Sequence, residues 1–325
     1  MHIVLNSFGS AIRKENDLFV VTTAGAEQKL HPADVKTITL SKGARISSDA
    51  VLLAIEHQID VLFVDAVGTP QGRVWSVKYG SISQIRQKQV EFLYSEKAIQ
   101  WVKEIVTEKI NNQIALLLAF SPDDYSRAHN IIRHAINSME DHKNKILKAE
   151  GDTLHDMAPS IRGWEGAASK RYFQALAALL PEPYRFEKRT THPATDPFNA
   201  CLNYGYGILY GKVESALVKA GIDPYMGVFH RDEYNRPALV FDVIEKFRIW
   251  IDYVVIQLFR QDAFTDECFE RQPHQCLLEG LGKRILIQSV NDYLAEIITL
   301  NHLERSRATH IEHYAQTLAK LFLKH

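Results

Sequence analysis

The apolar pattern of this chain changes character near residue 82, and the change divides the fold. Before it, short β-branched runs at Ile3–Leu5, Leu18–Thr23, Val35–Leu40, Val61–Val64 and Val74–Val77 are punctuated by glycine, asparagine and aspartate, which is strand-and-turn chemistry. One helix interrupts the series: SSDAVLLAIEHQ carries a helical apolar stripe that Ser47 or Ser48 can cap. From Ser83 onward apolar residues recur at three- and four-residue spacing with few breakers. Helices are expected over 85–120 (one or two), 123–148, 164–180, 197–220, 239–260, 280–300 and 303–323. Ser121-Pro122 and Asp196-Pro197 each offer a cap followed by proline at the first helical position. The segment from Pro181 to Pro197 holds four prolines and reads as a loop. The expected fold is α+β: a small, mostly β, sandwich-like N-terminal domain over 1–82, then a larger all-α C-terminal domain over 83–325.

A chain of 325 residues can bury a full core without disulfides or a structural metal. Its three cysteines, Cys201, Cys268 and Cys276, form no C-x-x-C pair, so neither a disulfide framework nor a zinc ribbon is indicated. The N-terminus shows no signal-peptide pattern and no run of 18 apolar residues occurs; a soluble, cytoplasmic protein without a membrane role is expected. With 38 basic and 39 acidic residues the net charge does not favour nucleic-acid binding, though it leaves room for a local basic groove.

Common local motifs are missing. No P-loop and no G-x-S-x-G elbow is present. Gly205, Gly207 and Gly211 fall inside an expected helix, where close packing explains them better than a dinucleotide. His310 and His313 lack a carboxylate or cysteine frame for a metal, and Cys201 sits in an apolar helical context.

Three segments carry more chemistry. In RGWEGAASKRYF, Glu165 stands among small residues that let a neighbouring helix close around an acid, or it simply favours a helix N-terminus. In MGVFHRDEYNRPALVFD, His230 leaves a packed segment into a polar turn, as a metal ligand, an acid–base group or an interior histidine. In LVFDVIEKFR, Asp242 and Glu245 share one face of an apolar helix; such acids must be paired or must bind a cation, and a salt bridge from Glu245 to Arg248, three residues on, competes with the cation. Carboxylates plus imidazole without thiolate suit Mg²⁺ or Mn²⁺ better than Zn²⁺.

The order RGWEGAASKRYF, TDPFNACLNYGYGILYGKV, GIDPYMGVFH and ALVFDVIEKFR, with ISSDAVLLAIEHQIDVLFVDAVGTPQGRV upstream, resembles the CRISPR-associated integrase of spacer acquisition, the first-numbered CRISPR-associated protein family. The resemblance spans most of the chain. It implies a metal site made by Glu165, His230 and Glu245, with Asp242 as a further catalytic acid beside it. Glu245 is one methylene longer than the aspartate many relatives carry there, which leaves open whether Asp242 or Glu245 is the direct ligand. It implies metal-dependent DNA endonuclease and integrase activity, in which the 3′-hydroxyl of a fragment attacks a phosphodiester at the edge of a CRISPR repeat. The implied partners are double-stranded DNA, a second copy of the chain in a homodimer, and a small companion of the second-numbered family. Arg162, Lys170, Arg171, Arg185, Lys188 and Arg189 outnumber the three acids in 162–189, and with Arg248 they are the candidate DNA contacts. Competing functions are a stand-alone, structure-specific repair nuclease using the same metal site, and a non-enzymatic DNA-bridging dimer whose acids only pair with Arg248 and Lys246.

Overall fold

The structure, a computed structural model, describes residues 1–65, 68, 70–74, 83–122, 126–230 and 236–324. The chain divides into two compact units, Met1–Gly80 and Ser81–His325.

The first unit holds β1 (His2–Leu5), β2 (Ala11–Glu15), β3 (Leu18–Thr23), β4 (Ala26–Leu30), β5 (Thr37–Ser41), β6 (Arg45–Ile46), α1 (Ser48–Glu56), β7 (Asp60–Val64) and β8 (Pro70–Arg73). They form two four-stranded sheets, ordered β1-β5-β7-β8 and β4-β3-β2-β6. In the first sheet β1, β5 and β7 run parallel, with Ile3 beside Ile38 and Ile38 beside Val61. In the second, Asn16 closes the β2–β3 hairpin at φ +53° and Gly25 closes β3–β4 at φ +88°, the left-handed backbone that tight hairpins require. Ile3, Leu5, Ile38 and Leu40 join Ile12, Phe19 and Val21 in one apolar core. Ser47 caps α1 by accepting from the Ala50 amide at 3.2 Å, and α1 adds Ala50, Leu53 and Ala54 to that core. Of the Val74–Val77 run, only Val74 lies among the described residues.

The second unit contains α2 (Ser83–Phe92), α3 (Glu96–Phe120), α4 (Arg127–Lys148), α5 (Leu154–Leu179), α6 (Pro197–Lys219), α7 (Ala238–Ile244), α8 (Arg248–Arg260), β9 (Phe269–Gln272), β10 (Gln275–Leu278), α9 (Gly280–Ala295), β11 (Ile297–Leu300), β12 (Leu303–Ser306) and α10 (Arg307–Leu323). Besides its helices it carries two short hairpins, β9–β10 and β11–β12. The second occupies the junction between the expected helices 280–300 and 303–323: α9 stops at Ala295, and Asn301 and His302, at φ of 49° and 64°, form the two-residue left-handed turn that joins β11 to β12.

The Asp196-Pro197 signal behaves as expected: Asp196 accepts from the Asn199 amide at 2.8 Å and Pro197 opens α6. Ser121-Pro122 does not. Ser121 ends α3, and Ser126 caps α4 through the His129 amide at 3.1 Å. Helix α5 begins ten residues ahead of the expected 164, under the Thr153 cap, and tolerates Pro159 within it. The expected helix 239–260 breaks into α7 and α8 at residues 245–247. Gly205 of α6 serves packing: a Cβ there would lie 2.5 Å from Ile251 Cγ2 of α8. Cys201 is fully buried core, and His310 is buried with Nε2 3.1 Å from the Ile298 carbonyl.

Candidate active site

Glu165 lies in the middle of α5. A helix dipole acts only within the terminal turn, so N-terminal placement does not explain this acid. One turn on, Ser169 donates its hydroxyl to Glu165 Oε1 at 2.9 Å. One turn back, Arg162 donates to the Phe229 carbonyl at 3.0 Å and lies 5.6 Å from the centre of the Phe229 ring. The α5 face that carries Glu165 therefore also pins the segment leading to His230.

That segment closes on Asp242. The buried Asp242 carboxylate accepts from the backbone amides of Val228 at 2.7 Å, Phe229 at 3.0 Å and His230 at 3.0 Å. His230 Nδ1 stands 2.7 Å from its Oδ1. Four partners use the lone-pair capacity of one carboxylate, so Asp242 is an organiser with nothing left for a cation. Against an ionised acid Nδ1 carries the hydrogen, which leaves Nε2 as the nitrogen with a lone pair to offer. Burial alone lowers the His230 pKa, but the hydrogen bond and charge of Asp242 outweigh it and the pKa is raised.

Glu245 sits in the turn between α7 and α8. Its side chain is 12 % exposed, and Oε1 ion-pairs with Arg248 Nε at 2.9 Å. The Arg248 guanidinium lies 4.7 Å from the centre of the Tyr206 ring. Glu245 Oε2 is 2.6 Å from Lys109 Nζ of α3, and the same ammonium bonds Glu165 Oε1. Burial opposes ionisation of Glu245, yet the Arg248 and Lys109 charges override it and hold the pKa down at about 2. The mirror effect raises Lys109: burial lowers its pKa, and Glu245 and Glu165 more than compensate.

Lys109, Glu165, His230, Asp242 and Glu245 line one cavity, with Trp101, Val102, Ile105 and Val106 of α3 as its apolar wall. Two carboxylates and an imidazole make a donor set for Mg²⁺ or Mn²⁺. As they stand, no three His, Cys, Asp or Glu among the described residues are placed to hold a metal ion; the Lys109 ammonium takes the space between the two glutamates. Two observations still fit a cation there. A positive charge already bridges these carboxylates, and buried Glu245 Oε2 receives no well-formed hydrogen bond from the described residues.

The candidate DNA contacts divide. Lys170, Arg171, Arg185 and Lys188 are exposed. Arg162 and Arg248 are spent on the Phe229 carbonyl and on Glu245. Arg189 differs most from the expected surface contact. It donates to Asn199 Oδ1 at 3.0 Å and Asn203 Oδ1 at 2.6 Å, and lies between the Phe173 and Tyr206 rings, 5.8 and 5.5 Å from their centres. Its neighbours in a proline-rich loop suggest solvent, but the loop folds back onto α6. Lys246, the other proposed partner of the acids, bonds Glu108 instead.

Sequence reasoning missed Lys109, whose helix looks like an ordinary charged surface segment there. It also passed over Asp252, 1 % exposed, which accepts from Tyr172 at 2.7 Å and from Tyr206. Burial raises the Asp252 pKa, against the two tyrosine hydrogen bonds. A signal was present: a lone acid in IWIDYVVIQLF has the same signature as Asp242.

The family model for CRISPR associated protein Cas1 matches residues 3–292. The chain belongs to the Cas1 family. The CRISPR-associated endonuclease Cas1 1 of Archaeoglobus fulgidus is 31 % identical over 305 residues, covering 90 % of this chain and 88 % of that one. In fold, a Cas1 protein from Thermotoga maritima superposes with a TM-score of 0.82 at 20 % identity, covering 99 % of this chain and 96 % of that one. A casposase bound to its integration product gives 0.84 at 19 % identity, covering 99 % and 90 %. A chain of a Cas6-RT-Cas1–Cas2 complex gives 0.82 at 23 % identity; the match covers 100 % of this chain and 35 % of that larger one. The Cas1 fold accounts for both units, the β-rich and the helical. Among the described residues no helix is long and apolar enough to cross a membrane.

Proposed function

We propose that this Cas1-family chain is a metal-dependent DNA integrase that inserts DNA fragments as new spacers into a CRISPR array. The observation that carries the reading is the meeting of Glu165, His230 and Glu245, from segments far apart in sequence, in one cavity. The names of similar proteins support it: an endonuclease in Archaeoglobus fulgidus, a casposase bound to its integration product, and an assembly with Cas2.

The residues divide the work. Glu165 and Glu245 offer carboxylate oxygens and His230 offers Nε2 to one Mg²⁺ or Mn²⁺. When bound, that ion supplies Lewis acidity toward the attacking 3′-hydroxyl and the phosphodiester. Asp242 fixes the His230 tautomer and, through three amides, the path of its backbone. Ser169 and Arg248 hold one oxygen each of Glu165 and Glu245, so the pair is placed before substrate arrives. Exposed Lys170 and Arg171, about 7.5–9 Å along the α5 axis from Glu165 by helical rise, and Arg185 and Lys188 on the following loop, meet the DNA backbone. The chain works as a homodimer in the cytoplasm with a small companion of the Cas2 type.

The test incubates the chain and its companion with a short duplex and a supercoiled repeat plasmid, in Mg²⁺, Mn²⁺ or EDTA. Joined strands are expected with either ion and none with EDTA or with a 3′-deoxy duplex. Cutting without joining would make the chain a nuclease; products in EDTA would overturn the metal reading.

A further inference from the structure

Lys109 and Gln113 lie one turn apart on the same face of α3. Lys109 reaches into the acid cavity and also lines an adjoining one, together with Gln113, Tyr206, Arg248 and Glu245. In the first cavity its ammonium binds Glu165 and Glu245. In the second, Gln113 Oε1 is buried, the residue being 6 % exposed, and has no hydrogen-bond partner among the described residues. An unsatisfied buried acceptor is costly and calls for an explanation. A flexible four-carbon ammonium one helical turn away is a donor that can reach it.

We propose that Lys109 is a two-position cation: it neutralises the glutamate pair while the site holds no metal, and moves to Gln113 Oε1 when a divalent ion takes the pair. The proposal rests on the metal-site reading above. A divalent ion between Glu165 and Glu245 cannot share that space with an ammonium, because two positive charges in one buried pocket repel strongly. The alternative seat lowers the cost of the exchange. The metal-free site stays assembled, since two buried carboxylates facing each other without a counter-ion would push apart. The protein therefore trades metal affinity for a site preformed before metal or DNA arrives. Arg248 has no such freedom, being paired to Glu245 Oε1 and stacked on Tyr206.

Mn²⁺ binding to the DNA-free protein, read from the free-ion signal in electron paramagnetic resonance, tests this. Lys109→Met removes the competing charge and is expected to bind Mn²⁺ at least about tenfold more tightly than wild type. Lys109→Arg keeps the charge and is expected to bind no more tightly than wild type. Gln113→Leu removes the alternative seat and should weaken binding in the wild-type background while changing nothing in Lys109→Met, a coupling that a purely structural role does not produce. Thermal melts keep the variants interpretable: Lys109→Met should melt lower than wild type without metal and gain more from Mn²⁺. Lys109→Met binding Mn²⁺ no more tightly than wild type, or Gln113→Leu acting equally in both backgrounds, would overturn the proposal. Glu165→Gln and Glu245→Gln serve as the control: if neither weakens Mn²⁺ binding, the site itself is misplaced; if both do and Lys109→Met is unchanged, only the exchange fails.

Discussion

His230 Nδ1 and Asp242 Oδ1 are 2.7 Å apart, and the same carboxylate also takes the backbone amide of His230 at 3.0 Å. One acid thus fixes the ring, its tautomer and the chain that carries it. Asp242→Asn should lower Mn²⁺ affinity about 10- to 100-fold, the usual cost of losing an outer partner of a ligating histidine. The amide also brings N–H groups against the backbone donors, so the melting temperature should fall. Unaltered metal affinity in a folded Asp242→Asn protein would remove Asp242 from the positioning role.

Glu245 predicts acid behaviour. Its pKa lies at about 2 in the folded protein against an ordinary 4.5. As pH falls below 4.5 the unfolded chain takes up the proton first, so the stabilisation present above that value drains away as pH descends toward 2. Urea midpoints between pH 3 and 6, without metal, should therefore fall more steeply with acidification in wild type than in Glu245→Gln. Parallel curves would mean that the Lys109 and Arg248 charges do not hold the carboxylate down.

Arg189 and its loop neighbours separate folding from DNA contact. Arg189→Ala strips charged hydrogen bonds from Asn199 and Asn203 and should cost about 1.5–3 kcal/mol of stability. The exposed pair Arg185→Ala with Lys188→Ala should leave the melt unchanged, weaken DNA binding for all sequences, and flatten the salt slope by up to about two. If the salt slope of the double variant matches wild type, the DNA follows another path.

The α6–α8 contact predicts an overpacking effect. Gly205→Ala places a methyl 2.5 Å from Ile251 Cγ2, and Ile251 is 1 % exposed, with no room to retreat. A loss of about 1–3 kcal/mol is expected, smaller in an Ile251→Leu background, because leucine is unbranched at Cβ and carries no Cγ2 methyl. Denaturant melts of the single and double variants decide this; full stability in Gly205→Ala would show that the two helices can separate.

Local pattern determined much of this protein. The two-residue and helical periods set the β-rich and helical units, because side-chain period follows directly from backbone geometry. Asp196-Pro197 set the start of α6, and Ser47 that of α1, because a cap is a contact within four residues. An acid in an apolar helix marked Asp242, and the same rule covers Asp252, because a charge among buried neighbours needs a partner wherever it lies. The tertiary structure decided what those partners are. Asp242 and Glu245 share a helical face in the sequence, yet one closes on the Val228–His230 backbone and the other on Lys109 and Arg248. Arg189 reads as a loop charge and becomes interior because α6 supplies Asn199 and Asn203. Lys109 enters the site from a helix that ends 34 residues before α5 begins. Its role arises only where α3, α5 and the α7–α8 turn converge, and no local spacing encodes a contact between side chains that only packing brings together.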